Sequence, residues 1–294
     1  MNPFTAFHRG LRRALRTGRL AVYAWLAGFV FSLLWVIPVG TFLHGNYGRS
    51  PLWQAMGDGF SWTWLGDAIF RHGDLPALIA GGLLAMTSGW LLLSVYLNGG
   101  LIAGLALPRR RFLGDCGEYF PRLLRLFLLS LPVYLIAVLG ATLLAELLRA
   151  LNPDPVTEWG ELWRQWARLG LLAAALAVVN LVFDLAKIAL VRRPDGKAWR
   201  ALGEAVLRLR GRAFGQAGMI YLLATTVSGV FILVYLEVAR LVPSRLGWIL
   251  AVLLPWQQAL MIARQWSRLL CFAAESEWWE GPRPPAPATD LDLA

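Results

Sequence analysis

Charge is scarce in this chain. Only 16% of its 294 residues are Asp, Glu, Lys or Arg, whereas a soluble domain carries about 25%, so lipid rather than water is the expected solvent. Cysteine is scarcer still: Cys116 and Cys271 are the only two, too few for a disulfide framework, and both are expected to be reduced. Of the three histidines, His8, His44 and His72, none falls inside a long apolar run. That excludes intramembrane histidine metal clusters and Ser–His dyads. No Gly-x4-Gly-Lys-Ser/Thr loop occurs, which excludes ATP hydrolysis by this chain. An aspartate-pair protease needs two acids in the apolar runs, and Asp184 stands alone there. No catalytic residue, cofactor or metal is therefore expected, and an enzyme is the less favoured class.

What is abundant is apolar length. The chain is 57% hydrophobic with a mean hydropathy of +0.55. A hydrocarbon layer of ~30 Å needs about 20 apolar residues per helix. Six stretches qualify, near 20–43, 76–98, 124–145, 168–191, 217–240 and 247–265, and the run from Pro76 to Leu107 holds no charge at all. The pattern predicts an all-α polytopic membrane protein with six transmembrane helices in a single domain over 1–280. The Pro-rich remainder, 281–294, is expected to be disordered.

The net charge of +10 would point to nucleic acid in a soluble protein. Here its placement points elsewhere. Five arginines precede the first span, five lie in 108–125, eight basic residues lie in 187–213 and three follow from Arg264 onward. These make 21 of the 28, all in alternate gaps, while the opposite gaps hold 7 basic and 8 acidic residues. The bias predicts both termini on the cytoplasmic side, anionic lipid headgroups as partners, and no nucleic acid. The first apolar run is too long for a signal h-region and Val39-Gly40-Thr41 is a poor cleavage site, so an uncleaved first helix is expected. The excess of arginine over lysine fits a GC-rich bacterial genome, hence a bacterial inner membrane.

Each basic cluster also reads as a short amphipathic helix lying in the headgroup plane. The first is Pro3 to Gly18, with Phe4, Phe7, Leu11 and Leu15 on one face. The second is Arg111 to Leu123, presenting Phe112, Cys116, Tyr119 and Phe120. The third is Ala198 to Ala213, presenting Trp199, Leu202, Val206 and Leu209. Since each precedes an outward and a returning span, the chain reads as three hairpins, each introduced by an interfacial helix. On the opposite side, the aromatic-rich loop 44–75 is expected to form short surface helices. Trp159, Trp163 and Trp166 stand at helical spacing before the fourth span.

Polar residues inside the spans need a reason, because an unpaired charge there costs a few kcal/mol or more. Asn180, Asp184 and Lys187 share one helix face by their spacings of four and three. Lys187 can snorkel to headgroups; Asp184 needs a cation or a proton. The choice is between an internal ion pair that fixes packing and a site for an ion, a proton or a substrate. Pro255, with Gln257 and Gln258, marks a kink in the sixth span whose amides can bond another helix. Arg264 sits at a depth suited to pairing with Asp184. Asn98-Gly99-Gly100 is a candidate helix break, and Glu146–Arg149 and Glu237–Arg240 read as exposed pairs at helix ends.

Through Asn98-Gly99-Gly100, Gly117 to Arg122 and Phe183 to Val191, the chain resembles poorly characterised bacterial membrane proteins built of interfacial helices and hairpins. Its layout is similar to the membrane domain attached to some glycerophosphodiester phosphodiesterases. The catalytic domain of those enzymes has no counterpart here, so the resemblance implies no functional residues. The favoured expectation is a non-enzymatic transport or membrane-complex subunit. A scaffold or assembly protein, alone or as a homo-oligomer, comes next, and a lipid-active enzyme third.

Overall fold

The computed structural model describes residues 2–47, 66, 69–70, 73, 75–106, 111–151, 157–193, 197–241 and 247–281. Among them no strand occurs, and the regular elements are eight helices. They are α1 (Pro3–Arg16), α2 (Arg19–Tyr47), α3 (Leu75–Ala106), α4 (Phe112–Leu151), α5 (Glu158–Arg192), α6 (Ala198–Arg208), α7 (Arg212–Leu241) and α8 (Gly247–Glu280). The expected surface helices in 44–75 and the tail beyond 281 lie outside the described residues, isolated positions apart.

Among the described residues, five segments are long and apolar enough to cross a membrane: Arg19–Thr41, Ile79–Ala106, Phe112–Ala150, Glu158–Arg192 and Arg212–Leu241. The sixth expected span falls within α8, which is not among these five. Many large apolar side chains on the long helices, such as Leu34, Leu84, Ile136 and Leu222, face outward. In lipid this exposure is not a defect, because the acyl chains are the solvent of such a surface.

The protein core is concentrated at one end of the bundle. Its buried side chains come from the first turns of α2, α4 and α7 and from the last turns of α3, α5 and α8, with α1 and α6 packed over them. Leu101, Ile102, Leu185, Ile188, Leu269 and Leu270 are all essentially inaccessible. Toward the other end the helices bury little against one another. This closed end collects the basic clusters, and its connections are short.

Local chemistry sets the ends of the small helices. Asn2 caps α1 by accepting from the Phe4 amide at 3.1 Å, and Pro3 sits where its missing N–H costs nothing. Gly211, at φ 63°, makes the left-handed turn that separates α6 from α7. The third interfacial helix accordingly ends at Arg208, short of the expected Ala213.

The expected second interfacial helix is not separate. It is the first part of α4, a continuous 40-residue helix that runs through Pro121 and Pro132. An internal proline costs about 3 kcal/mol, but here packing on both sides of Pro121 holds one axis. Cys116, Tyr119, Leu123 and Leu126 follow spacings of three, four and three across it, and all are buried. The regular pattern of three helix-plus-hairpin units is therefore broken in its middle unit.

The expected break at Asn98-Gly99-Gly100 is also absent, since α3 continues to Ala106. These glycines admit α4 instead. A Cβ on Gly100 would collide with the Cys116 Sγ and come within 2.8 Å of Phe112; one on Gly99 would meet Tyr119 at 3.1 Å. Close approach of two helices is the use of small residues here.

The largest departure from expectation is the length of α8. It persists to Glu280, and residues 269–279 are almost wholly buried, apart from partly buried Cys271. Cations from three helices hold this terminal segment. The Arg13 guanidinium of α1 reaches Glu277 at 2.6 Å and Glu280 at 3.5 Å, and also donates to the Leu105 carbonyl of α3. Arg192 of α5 meets Glu280 at 2.5 Å. Arg208 of α6 lies 4.2 Å over the Trp279 ring and donates to its carbonyl at 2.6 Å. Cations gathered at a helix C-terminus also complement its dipole.

Helix α1 packs as well as floats. Its buried face is the small-residue row Ala6, Gly10 and Ala14, set against α8. Phe7 and Leu11 pack on the core edge, whereas Phe4 and Leu15 remain exposed at 57% and 62%. The expected apolar face is thus divided between protein and surroundings.

Candidate functional site

The polar residues of α5 meet those of α8 inside the closed end. Successive turns of α5 present Asn180, Asp184 and Lys187, as their spacing predicts. The Lys187 ammonium donates to the Asp184 carboxylate at 2.6 Å, with side chains 24% and 17% exposed. Opposite them α8 presents Arg268, Cys271 and Glu275, again about one turn apart. One donor atom each from Asp184, Cys271 and Glu275 lies within 4.8 Å of the other two. The Cys271 thiol donates to Glu275 Oε1 at 3.5 Å.

Glu275 is 1% exposed, and its Oε2 has no hydrogen-bond partner. A buried carboxylate oxygen left without a partner is expensive, and native structures rarely keep one without a use. The surrounding cations are organised by one aromatic ring. Lys187 and Arg268 both stand 5.9 Å from the centroid of Phe272, a distance at which the ring quadrupole attracts them. Arg268 also donates to Ser94 of α3 at 3.1 and 3.2 Å.

The neighbouring helices close the cluster. Tyr134 of α4 donates to Asn180 at 2.5 Å and stacks beside Phe183. Tyr221 of α7 lies within electrostatic reach of Asp184, Cys271 and Glu275. Replacing Tyr134 with phenylalanine should remove one neutral hydrogen bond and lower stability by about 1 kcal/mol. Melting in detergent checks this, with Gln257→Ala, on an exposed surface, expected to change nothing.

Not every expected site residue belongs to this centre. Gln258 accepts from the Trp25 indole of α2 at 3.0 Å, so the amide beside Pro255 does bond another helix, but away from Asp184. Gln257 is exposed. The anticipated Asp184–Arg264 pair is not formed. Asp184 takes its cation from its own helix, and the arginine of α8 that turns inward is Arg268, one turn later; Arg264 points outward. The helix-end pairs are present, Arg240–Glu237 at 3.0 Å and Arg149–Glu146 at 3.8 Å, and Arg168 adds a 3.5 Å contact to Glu146 from α5.

Sequence reasoning missed Arg268, Cys271 and Glu275 because it closed the sixth span at 265. A signal was available. Residues 264, 268, 271 and 275 are spaced by four, three and four, a polar row crossing an otherwise apolar helix.

Cavities lined by other residues occur elsewhere in the bundle. One, of about 180 Å³, lies between the open ends of α4 and α5, lined by Glu146, Arg149, Glu161, Arg164 and Arg168 among others. The second is an open groove between the end of α5 and α6, lined by Arg193, Trp199, Arg200, Glu204 and Arg208 among others. No family model matches the chain, and no curated protein or solved structure matches it either.

Proposed function

We propose that the chain is a non-enzymatic, multi-pass protein of the bacterial inner membrane that serves as a transport or membrane-complex subunit, with the α5–α8 cluster as its working centre. The observation that carries this reading is Glu275, a buried acid with one carboxylate oxygen unpartnered, standing in the same cluster as Asp184 and Cys271. A purely structural ion pair has no need of a second buried acid, whereas a centre that takes up and releases a cation does. The basic clusters at the closed end support a cytoplasmic placement of that end, with Trp199, Phe4 and Leu15 set to enter a layer of anionic headgroups.

The test uses proteoliposomes holding the purified chain, with entrapped dyes that report protons and divalent cations. Gradient-driven flux is expected in the wild type and should be lost in Asp184→Asn. Flux no greater than in protein-free vesicles overturns the transport reading.

One observation favours a scaffold as the second reading: the closed end is tightly packed, with Leu185, Ile188, Leu269 and Leu270 essentially inaccessible. A scaffold predicts that a second membrane protein co-purifies in stoichiometric amount from native membranes. A lipid-active enzyme would need a titratable partner for Asp184 free to take part in proton transfer; Lys187 at 2.6 Å is a same-helix counter-ion that neutralises the acid.

A further inference from the structure

We propose that Asp184, Cys271 and Glu275 form a binding site for one divalent transition-metal ion of the Zn2+ type. The inference is independent of whether the chain moves anything across a membrane. It rests on two observations that do not depend on one another. The first is the convergence of a carboxylate, a thiol and a second carboxylate, from two helices, within 4.8 Å. The second is the buried Glu275 Oε2, which has no partner and belongs to the same group.

The geometry suits a small four-coordinate ion. Donor atoms around tetrahedral zinc stand about 3.3–3.5 Å apart, so contraction by at most about 1.5 Å would bring these three onto one ion. Cys271 and Glu275 sit four residues apart on α8, which places both donors on one helix face. Asp184 approaches from α5, and the fourth position is left to water. Sulfur in the set selects against Mg2+ and Ca2+, which take oxygen ligands and more of them. Histidine is not required for this chemistry.

The Lys187 ammonium must give way, since it holds Asp184 at 2.6 Å. Its side chain is partly exposed, and its flexible stem allows the charge to move toward headgroups while the carbons stay packed. The metal binds a thiolate and two carboxylates. The Cys271 thiol proton and the proton that burial beside Asp184 holds on the Glu275 carboxyl go to solvent, and Lys187 leaves Asp184 still protonated. The one negative charge remaining on the site is offset by Lys187 and Arg268, with the neutral Tyr221 hydroxyl as the group facing it from α7. Since uptake releases protons, binding tightens as pH rises.

Cobalt is the probe. The full chain, purified in detergent and stripped of metal, is titrated with Co2+ and then with Zn2+ in competition. One Co2+ per chain is expected, with a thiolate-to-cobalt charge-transfer band that Zn2+ abolishes. Cys271→Ser should remove the band and Cys116→Ser should leave it. Asp184→Asn and Glu275→Gln should weaken binding by more than the roughly 10–100-fold that follows loss of a partner behind a ligand. Wild-type protein supplies a readout that needs no variant to fold: Zn2+ should protect Cys271 from alkylation, read on its own peptide by mass spectrometry. Absence of the band, its survival in Cys271→Ser, or alkylation of Cys271 unaffected by Zn2+ would each overturn the proposal.

Discussion

Gly10→Leu should destabilise the closed end by about 3 kcal/mol, the upper range for forcing a side chain into a packed contact. The reason is geometric. A Cβ at residue 10 would stand 2.6 Å from the Ala274 backbone nitrogen and 2.8 Å from its Cβ. Neither atom is the free end of a flexible side chain, so relief requires α1 to move away from α8. That movement would also cost the Arg13 contacts to Glu277 and Glu280, because they depend on α1 lying against the last turns of α8. Gly203→Ala is the matching control. A Cβ there meets nothing within 4 Å, and removing a helical glycine is worth about 0.5–1 kcal/mol in the favourable direction. Thermal melting in detergent should order the proteins Gly203→Ala, wild type, Gly10→Leu. Trypsin should also cut Gly10→Leu within α1 well before the rest of the bundle. Equal melting temperatures for Gly10→Leu and wild type would show that α1 does not need this contact.

Patterns carried within one helix were readable from sequence; contacts between helices were not. The helix expected over Pro3 to Gly18 followed from the spacing of Phe4, Phe7, Leu11 and Leu15, and the face shared by Asn180, Asp184 and Lys187 followed from their spacing. The length of α4 did not. Pro121 is a strong local argument for a boundary, and only the row Cys116, Tyr119, Leu123 and Leu126 against α3 overrides it. The glycines of α3 illustrate the same limit. Asn-Gly-Gly signals a break when read alone, but becomes a groove once Phe112 and Cys116 fill it. The partner of Asp184 was misjudged for a related reason. Depth placed Arg264 at the right level, yet depth does not fix rotation about the helix axis, and one turn later Arg268 is the residue that faces inward. Glu275 was invisible to a rule that looks for acids within apolar windows, because it lies beyond the window, on the part of α8 that packs against α1, α5 and α7.

Lys187→Met should be the most damaging single change in the cluster, costing about 3 kcal/mol if the pair behaved as fully buried and about 2 kcal/mol with its partial exposure considered. It leaves Asp184 and Glu275 facing one another, with Arg268 as the nearby cation and already committed to Ser94. Asp184→Asn should cost less, because Lys187 then retains Glu275 as a neighbouring acid and can also reach toward headgroups. The double variant should recover part of the loss, since exchanging both members of an ion pair for neutral groups is less harmful than stranding one. Arg264→Ala serves as the negative control, its side chain being turned outward. Melting in detergent, arranged as a double-mutant cycle on residues 184 and 187, reads the coupling directly. If Asp184→Asn proves more harmful than Lys187→Met, then Lys187 is not what neutralises the second acid, and Glu275 draws its compensation from Arg268 alone. That outcome would move the electrostatic centre of the cluster onto α8, where the guanidinium, thiol and carboxylate already stand one turn apart.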